Sequence, residues 1–220
     1  LFPVSINLTR ADLFSIDVKK TLKDLCEKYK VPRRLIMIEI SDKTYNDVDK
    51  EILAMIKDIS DAGFPLIIDG FGSGYSSMIM LQAVQPEVIT FNMKVLNDEE
   101  GHITKAAVIL HTVANCVQVM DIPLIVKMVE TDEHEQYLKN FGCRYAQGYH
   151  YYKPMDVSSL EKIIKVRENV DYSGIKGWLE EANEEPEEPE TSVIENSKGK
   201  NFFREIVDIR RQVRRKVGAE

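Results

Sequence analysis

The feature that most constrains this chain is a repeated alternation of short apolar runs with longer helical patterns. Val4–Leu8, Leu35–Ile40, Pro65–Asp69, Val88–Phe91, Pro123–Val126 and Tyr145–Tyr149 read as strands. Val18–Tyr29, Val48–Ile59, Tyr75–Ala83, Ile103–Val119, Glu133–Phe141 and Val157–Val166 read as the helices that follow them. In the first of these, Val18, Leu22, Leu25 and Cys26 fall on one stripe. A strand that returns through a helix pairs in parallel with its predecessor, so the pattern predicts an α/β fold with a parallel sheet. Six such units, with polar residues at the strand C-terminal ends, predict a TIM-like (β/α)8 barrel whose first elements are missing.

In such a barrel the chemistry gathers at the C-terminal mouth of the strands. The residues at those ends are Asn7, Glu39, Asp69, Asn92, Lys127 and Gln147. They lie on six different strands, so only the curled sheet brings them together.

The alternation predicts a barrel over residues 1–168. An acidic linker over 169–199 follows, because Glu180–Glu190 carries Pro186 and Pro189 and has nothing with which to build a core. Residues 200–217 predict an amphipathic basic helix. Phe203, Ile206, Ile209, Val213 and Val217 fall near helical spacing, and seven basic residues stand against Glu205 and Asp208. Its apolar stripe needs a surface: this domain, a protein partner or anionic lipid.

The formal net charge of −7 and the pI of about 5.3 oppose binding to DNA, which needs a basic face. No apolar run approaches the roughly 20 residues of a membrane span. Cys26, Cys116 and Cys143 are odd in number and widely spaced, which fits free thiols in a reducing cytoplasm rather than a disulfide frame or zinc site. His102, His111, His134 and His150 show no metal-ligand spacing.

Four segments, in order, carry a family resemblance. Val4-Ser5-Ile6-Asn7-Leu8-Thr9 resembles a "vNlS" strand, and Ile38-Glu39-Ile40-Ser41-Asp42 an "lElTE" strand. The run from Ile68 through Asp69, Gly70, Phe71, Gly72, Ser73 and Gly74 to Ser77 resembles "DDFGtGySS". Gln147-Gly148-Tyr149, with Lys153-Pro154-Met155 behind it, resembles "QGYyfsKPm". Together they resemble the EAL-domain family of cyclic-di-GMP phosphodiesterases over residues 1 to about 168.

That resemblance implies a modified eight-fold barrel and a two-metal mouth. Two Mg2+ or Mn2+ ions, held by oxygen ligands, would clamp the attacking and leaving oxygens of the phosphodiester. It assigns metal-ligand positions to Asn7, Glu39 and Asp69. It assigns nucleotide-binding positions to Phe71, Gly72, Ser73, Gln147 and Pro154, and places Glu130 at the last acid of the family's "AEGVE". A homodimer is a further implication.

The departures fall at the chemical positions. The second Asp of "DDFG" is Gly70. The family's "KID" reads Thr90-Phe91-Asn92, which removes the phosphate-contacting Lys and a carboxylate. "AEGVE" reads Val126-Lys127-Met128-Val129-Glu130, so a lysine stands where a general base or ligand is expected. The EAL signature is absent, and the chain opens at Leu1 without Met; both imply that the first elements lie outside it.

In the mouth, Glu39, Asp69 and Glu130 supply negative charge and Lys127 opposes it, which disfavours a pair of divalent cations. Lys127 is expected to pair with Glu39, Asp69 or Glu130, its ammonium standing in for a metal. The expectation is a catalytically degenerate EAL domain that needs no metal cofactor and acts in cyclic-di-GMP signalling as a nucleotide receptor or regulatory module. It would be cytoplasmic, within a multidomain or membrane-bound signalling protein. The alternatives are a scaffold that binds no nucleotide, with a partner on the basic helix, and a weakly active phosphodiesterase.

Overall fold

The structure is a computed structural model that describes residues 3–41, 50–72, 76–96 and 107–166. Six parallel strands form one sheet in sequential order: β1 (Val4–Leu8), β2 (Ile36–Ser41), β3 (Leu66–Asp69), β4 (Val88–Asn92), β5 (Leu124–Lys127) and β6 (Tyr145–Gln147). The sheet curls into a half-barrel. Its connections carry helices α1 (Arg10–Ser15), α2 (Val18–Tyr29), α3 (Lys50–Asp61), α4 (Ser76–Ala83), α5 (Ala107–Val119) and α6 (Asp132–Phe141), and α7 (Val157–Lys165) follows β6. The expected α/β architecture of a partial TIM-like barrel is therefore present.

All six predicted strands and six predicted helices form. Strands β4 and β5 run one residue beyond expectation, which brings Asn92 and Lys127 into the ladder as register partners. Strand β6 stops at Gln147 instead of Tyr149, because the chain turns at Gly148. The expected helix starts at Val48, Tyr75 and Ile103 lie outside the described residues, as do the acidic linker and the basic helix.

Helix α1 was not anticipated from periodicity. It is short and held by its cap: the Thr9 hydroxyl accepts from the Asp12 N–H while the Asp12 carboxylate accepts from the Thr9 N–H at 2.8 Å. This capping box satisfies two of the orphan donors at a helix start.

The two faces of the sheet have different jobs. Ile38, Ile40, Ile68, Ile89, Phe91 and Val126 face the helices and pack with Leu22, Ile52, Ile56, Leu110 and Val113 in the main core. On the other face, Met37, Ile67 and Val88 form a small second cluster with Ile125. Side chains two apart along a strand share a face. Glu39 follows Met37, Asp69 follows Ile67, Thr90 follows Val88 and Lys127 follows Ile125. The concave face is thus apolar toward the N-terminal ends of the strands and polar at the C-terminal mouth. No helix among the described residues is long and apolar enough to cross a membrane.

Candidate functional site

A connected set of polar side chains occupies the mouth. The Lys127 ammonium donates to Glu39 Oε1 at 2.5 Å and to Asp69 Oδ1 at 2.8 Å. The Ser5 hydroxyl donates to the other Glu39 oxygen, Oε2, at 3.0 Å. The Thr90 hydroxyl donates to Asp69 Oδ1 at 2.6 Å and accepts from the Gly70 N–H at 3.0 Å. One path of bonds therefore runs Ser5–Glu39–Lys127–Asp69–Thr90–Gly70 and links strands β1 to β5.

The ion pairs are sheltered. Side-chain exposure is 7% for Glu39, 22% for Lys127 and 26% for Asp69. Burial by itself would lower the Lys127 pKa, but the hydrogen bonds and charges of Asp69 and Glu39 outweigh it and hold the ammonium above the usual lysine value. Lys127 is therefore a fixed cation of the mouth.

Of the three partners expected for Lys127, the fold selects Glu39 and Asp69. Glu130 stands exposed at the start of the connection to α6, where its N–H donates to His134 Nδ1 at 3.3 Å. It follows the end of β5 and does not enter the Lys127 pairing.

The replaced positions have definite structural roles. Gly70 has φ of 73°, a left-handed conformation that costs an L-residue energy and glycine little. An aspartate there would be strained as well as an extra charge. Thr90 is buried and both its hydroxyl functions are engaged, so it serves as a brace for Asp69 and the turn after β3. Asn92 caps the 3₁₀ turn at Met93–Val95, its Oδ1 accepting from the Lys94 N–H at 3.0 Å.

The expected nucleotide-contacting residues differ in burial. Phe71 is 1% exposed and its ring belongs to the main core, so what it can offer a ligand is backbone. Gly72, Gln147 and Pro154 are exposed. Ser73 lies outside the described residues. Asn7 is exposed, in register with Glu39 and on the same face. Gln147 is in register with Lys127.

Two features were missed in the sequence. Ser5 joins the network, and its signal was available: it lies two residues before Asn7 on the same strand face. Met128 has φ of 64°. It follows Lys127 directly and holds the position of the family's glycine in "AEGVE", so the mouth stores backbone strain beside its lysine. The neighbouring Gly148 is required sterically. A Cβ there would fall 1.9 Å from the Val129 carbonyl oxygen, because Val129 and Gln147 are bonded backbone to backbone at 3.1 Å.

Comparison with known proteins agrees with the fold. The EAL domain family model matches residues 1–154. The chain is 26% identical over 152 residues to the probable cyclic di-GMP phosphodiesterase PdeB of Escherichia coli; the match covers 69% of this chain and 28% of PdeB. The EAL domain of Mycobacterium smegmatis DcpA superposes with a TM-score of 0.64 at 19% identity, covering 73% of this chain and 71% of that one. Klebsiella pneumoniae BlrP1, solved with cyclic di-GMP and calcium and again with manganese, superposes with a TM-score of 0.60 at 27% identity, covering 67% of this chain and 38% of that one. Both of these BlrP1 structures thus hold a divalent metal together with the nucleotide.

The residues of this mouth do not fit a pair of such ions. Two divalent cations bring four positive charges and ask for several carboxylates. Glu39 and Asp69 supply two negative charges and already share an ammonium. Among the described residues no cluster of three or more His, Cys, Asp or Glu side chains is arranged to hold a metal.

Proposed function

This chain belongs to the EAL domain family, and from that premise we propose that it is a catalytically silent member that works in cyclic-di-GMP signalling as a nucleotide receptor or regulatory module. The observation that carries the proposal is the bridging of Glu39 and Asp69 by Lys127. Hydrolysis needs an activated water, and the groups that would activate it are neutralised by a fixed cation. Thr90 offers no charge to a phosphate, and Gly70 no ligand to a second metal. Loss of a general base alone costs roughly 10²–10⁴-fold in rate.

The retained sequence motif from Asp69 to Ser77, Gln147-Gly148-Tyr149 and the exposed Gly72 and Pro154 support nucleotide binding without turnover. The domain spans residues 1–168, and the acidic 169–199 segment joins it to a basic helix over 200–217 that contacts a protein partner. The setting is a cytoplasmic signalling protein, and a homodimer is part of the same reading.

A second reading, a scaffold that binds no nucleotide, is favoured by one observation. Tyr149, Tyr152, Val157 and Leu160 are large apolar side chains left 59%, 55%, 45% and 45% exposed after β6, and a partner protein would cover them.

Calorimetric titration with cyclic di-GMP, in EDTA and in Mn2+, tests the first reading, alongside chromatography for the linear product. Binding at micromolar Kd or tighter with no product supports a receptor. No heat up to about a millimolar, where binding is worth about 4 kcal/mol, supports the scaffold. Product formation overturns both.

A further inference from the structure

We propose that Lys127 is the resident cation of this mouth: it holds the place between Glu39 and Asp69 against divalent ions and fastens the concave face, so that the domain keeps its shape without metal. The inference rests on the silent-module reading and concerns the same residues.

The geometry carries it. A divalent ion held by both carboxylates would have to sit where the ammonium sits, bonded to Glu39 at 2.5 Å and Asp69 at 2.8 Å. The two carboxylates are otherwise engaged, Glu39 by Ser5 and Asp69 by Thr90, so they are oriented for this partner. The ammonium is also tethered. An ion from solution competes with a cation already present at high effective concentration, and it would leave a second positive charge beside itself.

Cutting the tether would expose the two acids to each other. Glu39 and Asp69 come from different strands and would face one another uncompensated, and Glu39 is the more buried, at 7% exposure. Their oxygens, with the Asn7 amide oxygen on the register partner of Glu39, are hard donors suited to Mn2+ or Mg2+. Removing Lys127 should convert a metal-indifferent domain into a metal-dependent one.

The experiment compares thermal unfolding of the 220-residue chain and its K127M and K127Q variants in EDTA and in millimolar Mn2+, with bound Mn2+ counted by electron paramagnetic resonance. The wild type is expected to show no Mn2+-induced shift and no saturable binding that depends on Glu39. K127M and K127Q are expected to melt roughly 5 °C or more lower in EDTA. Mn2+ should recover most of that loss, and the added change E39Q should abolish the recovery.

A wild type that binds Mn2+ saturably, and loses it in E39Q, overturns the proposal whatever the variants do. So do K127M and K127Q chains that stay unfolded in Mn2+, or that fold and ignore the ion. Wild-type Mn2+ binding without turnover of cyclic di-GMP would remove this inference and leave the silent reading standing; turnover would remove that reading itself.

Discussion

The Lys127 ammonium bonds Asp69 Oδ1 at 2.8 Å across an intervening strand, since β4 lies between β5 and β3. Its second bond, to Glu39 on β2, spans two strands. On a flat sheet β5 and β2 would be about 14 Å apart. The curl of the half-barrel brings their concave faces together, and the lysine fastens that curl.

The pairing predicts a pH dependence with a definite sign. The folded Lys127 pKa is raised above its ordinary 10.5, so its stabilisation is complete below the unfolded value and is lost as pH rises through the folded one. The difference in melting temperature between wild type and K127M should be constant from about pH 7 to 9 and shrink above about 10.5. A difference that stays flat to about pH 11.5 would contradict the pairing.

Thr90 tests the brace. Replacing it with valine keeps the shape, leaves the Gly70 N–H without its side-chain acceptor and takes one donor from Asp69. The expected loss is roughly 1–3 kcal/mol by urea unfolding, typical of a buried polar group left unpaired. A loss below about 0.5 kcal/mol would mean that water replaces the hydroxyl without cost.

Met128 should be improvable. It is a non-glycine residue at φ of 64° and is 38% exposed, so glycine relieves strain and gives up little packing. The left-handed region costs an L-residue about 1–2 kcal/mol, and the looser unfolded chain returns about 0.5–1 kcal/mol of that. M128G should therefore raise the urea midpoint by the equivalent of about 0.5–1 kcal/mol at unchanged slope. Destabilisation would show that the Met128 side chain is held by packing.

Gly148 should tolerate no side chain. The alanine Cβ would lie 1.9 Å from one backbone atom of Val129 and 2.4 Å from another, and backbone cannot swing aside. G148A is expected to cost roughly 3 kcal/mol or more, or to prevent folding. Near-wild-type melting would show that the connection after β5 yields easily.

Cys26 should be chemically silent. It is 3% exposed, and burial pushes its thiol up to about 11. At pH 8 the thiolate is then only about one part in a thousand. Labelling with a thiol reagent, localised by mass spectrometry, should leave Cys26 unmodified in the native chain and modify it in guanidinium. Fast native labelling would place Cys26 in a looser α2 than the one described.

The sequence alone determined the architecture. Apolar runs such as Leu66-Ile67-Ile68, alternating with stripes such as Val18, Leu22 and Leu25, leave a parallel sheet covered by helices as the way to bury both. The polar residue ending each run marked the mouth. The replaced positions Gly70, Thr90, Asn92 and Lys127 were also legible, because each is a change of residue type at a known offset in a motif. Helix α1 was not, since a cap rather than a periodic stripe holds it.

Only the tertiary structure decided which groups meet. The sequence offered Lys127 three carboxylates. Glu130, the nearest in the chain, is the one left aside, whereas Glu39 is bonded across 88 residues. Local spacing sets the face of a strand on which a side chain stands. The distance between side chains on non-adjacent strands is set instead by the curvature of the whole sheet, which no single segment encodes. For the same reason the bonds that Ser5 makes to Glu39 and Thr90 makes to Asp69 and Gly70 exist only once the sheet has curled.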